Sequence, residues 1–374
     1  MKITVITSPF GALPPNAIGA VEKLFYLLAG EWALAGNDIT FVCAGGGDDG
    51  RMHFRRLKKY NRTGSTKTDL FWDFLYSAKA LFIMPKTDIL LCNTFWTPAL
   101  APLFRWKYRK LIYGVHRYPK GQYWLYPFVH KFICVSTVVA DALREQLGPE
   151  RRSDDGKSRR VATIVNPIDA RVFNRRLGRA VVKGRVLYAG RIHPLKGLKC
   201  LAEACGRLHR QGIVGELVLV GVVDSDKGGG GLAFVEELRS AASPCPVVFA
   251  GAIQEPEKLA DIERTAEAFV YPSEDALGEA CPVAPMEAMA LGIPTIVSDL
   301  KCYNDYASSE VNAYRFPAGD CGALACRLHD VLANAESANK VGTRAALDCE
   351  RFSVSSVAMK YTDVFRDLLS KSAG

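Results

Sequence analysis

The sequence predicts an α/β fold of two doubly wound, Rossmann-like domains facing a central cleft. The chain has 374 residues, and a single hydrophobic core stops growing near ~250–300 residues. Short β-branched runs alternate along it with longer amphipathic stretches, the rhythm of parallel α/β domains. That rhythm breaks once, in the polar stretch after Asn166-Pro167, and then restarts. Two domains are therefore expected, over 1–168 and 169–353, with a C-terminal helix over about 354–374 that can pack back on the first.

The elements follow in order. ITVIT at 3–7, helix-period residues from about Val21 to Ala35 and ITFVC at 39–43 form a β-α-β start. DILLC at 88–92, KLIYGV at 110–115, KFICVS at 131–136 and VATIV at 161–165 add further strands. The second set opens with RVLYAG at 185–190 and a helix from about Leu198 to Gln211. It continues through ELVLVG at 216–221, PVVFAG at 246–251, EAFVYP at 267–272 and IPTIVS at 293–298. The stretch from Arg351 to Lys371 has helical spacing, with Val357, Tyr361, Phe365 and Leu368 on one side. Segments 148–160 and 224–231 are polar or Gly-rich and read as loops without structure of their own. Sheets of this kind bind ligands beyond the carboxyl ends of their strands, which puts the expected active site in the cleft.

Composition narrows the class. Hydrophobic residues make up 49% and charged residues 23%, a globular balance that leaves enough apolar surface to build two cores and excludes a disordered chain. No apolar stretch approaches the ~18 residues of a membrane-spanning helix, and Met1-Lys2 runs straight into a strand. A cytoplasmic protein is expected. Its eleven cysteines are scattered singly without a Cys-x-x-Cys pair, so they read as reduced and mostly buried, with no zinc site.

Two segments carry chemistry. The strand RVLYAG leads into Arg191-Ile-His-Pro-Leu-Lys196-Gly197, which sets two cations and a glycine between a strand end and a helix start. A diphosphate needs such positive charge, bidentate guanidinium hydrogen bonds and free amides. Solvated cations at a helix start would explain the same residues. Further on, a strand ends at Tyr271-Pro272-Ser273, a loop carries Glu279, and a helix from near Pro285 carries Glu287. Carboxylates suit sugar hydroxyls, from which they accept charge-assisted hydrogen bonds. A Glu in a first helical turn also complements the macrodipole without any ligand.

The ordered set Gly190-Arg191, Lys196-Gly197, Pro272-Ser273 and Glu279-x7-Glu287, followed by Ala-Met-Ala-x-Gly-x-Pro, resembles the retaining glycosyltransferases of the GT-B fold, family 4. Pro14 to Glu22, His116, Ser136 and Asn166 to Asp169 resemble the same family, so the likeness runs along nearly the whole chain. It implies that Arg191 and Lys196 hold the donor diphosphate, that Glu287 binds the nucleotide ribose, and that Glu279 binds the donor sugar. It also places His116 near the reacting centre, and Gly19, Ala280, Cys281 and Val283 among the donor-binding positions. The implied reaction moves a hexose from a nucleotide sugar, UDP-linked before GDP-linked, to a glycan or lipid-linked acceptor of cell-surface polysaccharide or glycoconjugate synthesis, with retention of configuration. No metal or other cofactor is implied. Asp224-Ser-Asp226 resembles the metal-binding pair of a different glycosyltransferase fold, yet its Gly-rich setting reads as a solvated loop. Two positions depart from the family pattern: Ile18 replaces one of two glycines before the first helix, and Cys281-Pro282 replaces a Phe-Gly pair.

Charge is uneven. The net charge is +9, while residues 51–131 hold sixteen Lys or Arg against Asp69, Asp73 and Asp88. Cations and aromatics interleave at 51–62, 103–110 and 120–131, a composition suited to an anionic membrane surface. Peripheral contact at the inner face of a membrane is the expectation, and a basic face over packed aromatics is the plain alternative. Nucleic-acid binding fits the same charge pattern but leaves the Glu279–Glu287 segment unexplained, and no nucleic acid is expected. A sugar-nucleotide epimerase of the same architecture is the rival enzyme.

Overall fold

The computed structural model describes residues 1–13, 20–45, 50–148 and 160–371. Gly19 and most of the 148–160 segment lie outside these residues. The chain divides into two compact units, one of Met1–Pro167 with Val354–Gly374 and one of Ile168–Ser353.

The first unit is built on β1 (Lys2–Ile6), β2 (Asp38–Cys43), β3 (His53–Arg56), β4 (Thr87–Cys92), β5 (Tyr108–Val115), β6 (Lys131–Cys134) and β7 (Val161–Thr163). They form one sheet in the order β3-β2-β1-β4-β5-β6-β7, with all neighbours parallel. The central strands are continuous apolar runs because helices cover both faces of such a sheet. The unit's last helix, Val354–Ser370, lays Val357, Tyr361 and Phe365 into the same core as Phe25, Leu28 and Trp32 of the helix Ala20–Leu34. Trp32 fixes the contact by donating from Nε1 to the carbonyl of Ala358 at 3.1 Å, which satisfies the one polar atom of a large buried ring. Ser136 serves as N-cap of the helix Thr137–Leu147.

The second unit carries β8 (Arg185–Ala189), β9 (Glu216–Val220), β10 (Val247–Gly251), β11 (Ala268–Tyr271), β12 (Thr295–Ser298) and β13 (Tyr314–Phe316). Its order is β10-β9-β8-β11-β12-β13, again parallel. Both sheets are doubly wound, as the sequence predicts.

Three expectations change. Strand β3, sequence HFRR, lacks the apolar run of a core strand because it is an edge strand with exposed side chains. Segment 224–231 is structured: Asp224 caps a 3₁₀ turn, Ser225–Lys227, by accepting from the Asp226 amide at 3.1 Å. Two cysteines are paired, Cys200 with Cys321, across 121 positions. Spacing rules miss this pair because its partners come from two separate helices, Leu198–His209 and Cys321–Ala333, whose Cα atoms at these positions lie 5.0 Å apart. The other nine cysteines are free, and all but Cys326 are buried.

Candidate functional site

In the second sheet the strand order reverses at β8, with β9 and β10 to one side and β11 to β13 to the other. Ligands of doubly wound sheets bind at such a switch point, outside the carboxyl ends of the strands. Two loops leave those ends side by side, 190–197 after β8 and 272–283 after β11.

The first loop turns sharply. His193 accepts the Leu195 amide at Nδ1, 3.2 Å away, and Pro194–Lys196 form a 3₁₀ turn. Gly197 follows at φ +66°, where a side chain would be strained and would also run into the carbonyl of Pro272. Glycine thus lets the loops touch, and the Glu274 amide adds a bond to the Leu195 carbonyl at 3.3 Å.

This contact brings Lys196 to Glu279. Both are buried, at 6% and 5% exposure, and Nζ lies 2.5 Å from Oε1. The ammonium also sits 5.9 Å from the centre of the Tyr271 ring. Arg191 remains exposed, with its guanidinium alongside Gly228 of the capped turn and its carbonyl held by the Tyr188 hydroxyl at 3.0 Å. Beyond Glu279, Cys281 is buried while Ala280 and Val283 are half-buried. The Pro282 carbonyl accepts from the Tyr306 hydroxyl at 3.0 Å, which pins the segment just before the helix Ala284–Ala290. Glu287, in that helix, is half-buried.

One carboxyl here gave no motif. Glu263 ends the helix Pro256–Glu263, is fully buried, and finds no hydrogen-bond partner for either oxygen. Burial raises its pKa well above the ordinary carboxylate range, and the neighbouring Glu287 charge raises it further against the pull of Arg264. An acid in a last helical turn opposes the macrodipole, and that misplacement is the only trace it leaves in the sequence.

His116 belongs to the first unit, one residue beyond β5. Its ring meets Phe25 edge-on at 5.1 Å, and Gly114 makes room for it, since a Cβ there would lie 2.9 Å from Nε2. Both ring nitrogens are buried without a partner, and burial followed by the Arg117 charge lowers the pKa to about 4. The imidazole is neutral at pH 7. Nearby in sequence to the undescribed Gly19, Glu22 is buried at 6% exposure over Gly11, and desolvation raises its pKa. Among the described residues, no three His, Cys, Asp or Glu side chains converge on a metal-sized site.

The structure therefore gathers Lys196, Glu279, Ala280, Cys281 and Val283 at the two loops of one switch point, with Arg191 on the same β8 loop and Glu287 in the helix that follows the β11 loop. His116 lies in the other unit. The basic segments divide: Tyr123 and Tyr126 of 120–131 pack inside, whereas Trp106 of 103–110 and Phe128 are exposed.

Comparison with known proteins gives the same assignment for both halves. Residues 21–171 match the model of Glycosyltransferase Family 4, and residues 172–348 match that of Glycosyl transferases group 1. A D-inositol 3-phosphate glycosyltransferase of Streptomyces bingchenggensis (strain BCW-1) is 27% identical over 228 residues, which are 57% of this chain and 49% of the relative. The amylovoran biosynthesis glycosyltransferase AmsK of Erwinia amylovora is 30% identical over 174 residues, 43% of this chain and 39% of the relative. The chain thus spans half or less of the length of these relatives. Anabaena HepE, solved in complex with UDP and glucose, shares the fold with a TM-score of 0.75 at 16% identity, covering 98% of this chain and 99% of HepE. Two adjoining glycosyltransferase family models thus account for residues 21–348, and the fold shared with HepE is GT-B.

Proposed function

We propose that this chain is a retaining glycosyltransferase that moves a hexose from a nucleotide sugar to a glycan or lipid-linked acceptor in cell-surface polysaccharide or glycoconjugate synthesis. The observation that carries the reading is the meeting of Lys196 and Glu279 at the switch point of the second sheet, beside exposed Arg191. A buried cation and a buried carboxylate side by side beyond the carboxyl ends of β8 and β11 suit a ligand that is anionic at one end and hydroxylated at the other.

In this reading Arg191 and Lys196 hold the donor diphosphate and stabilise the charge that grows on it as it leaves. Preorganised cations of this kind supply the largest single contribution to many such barriers. Glu279 binds hydroxyls of the donor sugar and Glu287 those of the ribose. With two side-chain cations on the diphosphate, the reaction needs no metal. His116, neutral and unpartnered, is able to hydrogen-bond a sugar hydroxyl. UDP is the preferred carrier, supported by the UDP named for HepE, and GDP is the second choice. Polysaccharide synthesis is supported by the amylovoran role named for AmsK.

The test is to incubate the chain with UDP-glucose, with and without a membrane extract, and follow the anomeric proton by NMR. Sugar transfer that requires the extract and keeps the anomeric configuration supports the proposal. Isomerisation of the sugar nucleotide alone would make the protein an epimerase.

A further inference from the structure

The first unit carries an exposed apolar cluster with an unusual rim. Phe82 ends the helix Thr66–Ile83 at 72% exposure, and Leu103 and Trp106 of the 3₁₀ segment Ala101–Lys107 are each 66% exposed. Lys107 joins the two segments. Its ammonium donates to the carbonyls of Leu81 at 3.2 Å, of Met84 at 3.1 Å and of Phe82, which caps the end of the helix. It also lies 5.7 Å from the Phe82 ring and 5.9 Å from the Phe104 ring, and Phe104 in turn contacts Trp106 at 5.6 Å. Phe82 and Trp106 are therefore linked through Lys107 and Phe104 into one surface, and Leu103 is exposed on the same 3₁₀ segment.

The cations around it are held without matching acids. Arg55 donates to the Ile83 carbonyl at 2.6 Å and Arg105 to the Tyr108 carbonyl at 2.5 Å. Such bonds orient a guanidinium and leave its charge uncancelled. Asp88 offers a carboxylate, 3.6 Å from Arg109. The crowding is visible in two ammonium groups: burial and Arg55 lower the pKa of Lys107, and burial, Arg105 and Arg109 lower that of Lys110. Among the described residues here, Arg55, Arg105, Lys107, Arg109 and Lys110 lie close together in charge while Asp88 reaches Arg109, an arrangement that a facing negative surface relieves.

We propose that this surface docks the protein on an anionic lipid bilayer, with Phe82, Leu103 and Trp106 entering the interfacial layer while Arg55, Arg105 and Lys110 meet lipid phosphates. A bilayer fits better than single-stranded RNA. Base stacking needs open aromatic faces spaced along a groove, whereas here an aliphatic side chain shares the apex with two rings and the cations form a rim. Tryptophan at the apex and lysine or arginine around it is the pattern of a membrane-interface anchor. Among the described residues no helix is long and apolar enough to cross a membrane, so attachment through this surface would be peripheral.

Sedimentation of the full chain with phosphatidylglycerol-rich vesicles, set beside pure phosphatidylcholine vesicles and single-stranded RNA, tests the proposal independently of any transferase activity. The expected result is binding to the anionic vesicles that weakens with salt. Phe82→Ser with Trp106→Ser should lower the partition coefficient roughly 100-fold, from the apolar area withdrawn. Arg105→Gln with Lys110→Gln should lower it about 25-fold, at ~5-fold per charge. Leu103→Gln alone, at an exposed position that the fold does not use, should lower it several-fold with unfolding unchanged. Equal binding to both vesicle types, undiminished binding of Leu103→Gln, or binding to RNA without vesicles would overturn it.

Discussion

Lys196 and Glu279 stand 83 positions apart and meet as a buried ion pair with 2.5 Å between Nζ and Oε1. Two charges removed from water stabilise each other only while both are present. Taking one away strands the other and costs ~3–5 kcal/mol, whereas replacing both with apolar side chains is close to neutral. Lys196→Met or Glu279→Leu should each destabilise the second unit by roughly 3 kcal/mol, and the double replacement should restore most of it. All five tryptophans lie in the first unit, so the measurement is amide hydrogen exchange in the second. Neutral single variants would mean that water reaches the pair.

His116 makes the first unit sensitive to acid. Its folded pKa, about 4, lies below the ordinary value of 6.5, so between those values the unfolded chain binds the extra proton. The neutral ring's contribution is present above pH 6.5 and is lost as pH falls through that window, by up to roughly 3 kcal/mol. Tryptophan fluorescence during urea unfolding reads this unit. The stability gap between the native chain and His116→Gln should narrow from pH 7 to pH 4.5, and a gap constant with pH would contradict the burial of the ring.

Glu263 should act with the opposite sign. Its pKa is raised in the fold, so the folded state keeps a proton that the unfolded chain releases above its ordinary carboxylate pKa. Stability is full below that ordinary pKa and declines as pH rises towards the raised folded value. Glu263→Gln mimics the protonated acid and removes the decline. The variant should therefore gain on the native chain as pH rises above the ordinary carboxylate range, as read by hydrogen exchange in the second unit. Parallel curves would show that Glu263 is not buried as a neutral acid.

Most of the fold was legible because core strands of parallel sheets are short, β-branched and bounded by glycine or proline. RVLYAG and EAFVYP mark β8 and β11 to within a residue or two. Strand β3 escaped, since an edge strand buries too little to need an apolar run, and β13, sequence YRF, has an arginine between two aromatics and so shows no β-branched run. The candidate site was legible as a list: Arg191, Lys196, Glu279 and Glu287 follow the two strands that meet at the switch point. Their pairing was not. Spacing cannot reveal that Gly197 lets one loop rest on Pro272, which brings Lys196 to Glu279. Glu263 and the Cys200–Cys321 pair were hidden for the same reason, because each depends on which helices become neighbours.

The central claim is that the β8 and β11 loops of the second unit form the donor site. Calorimetric titration of UDP-glucose into the native chain, Arg191→Ala and Glu287→Ala tests it most directly. Each replacement removes a charge-assisted contact worth about 1.5–3 kcal/mol, so binding should weaken roughly 10- to 100-fold in each variant while hydrogen exchange shows the fold intact. Unchanged affinity in both variants would contradict the assignment.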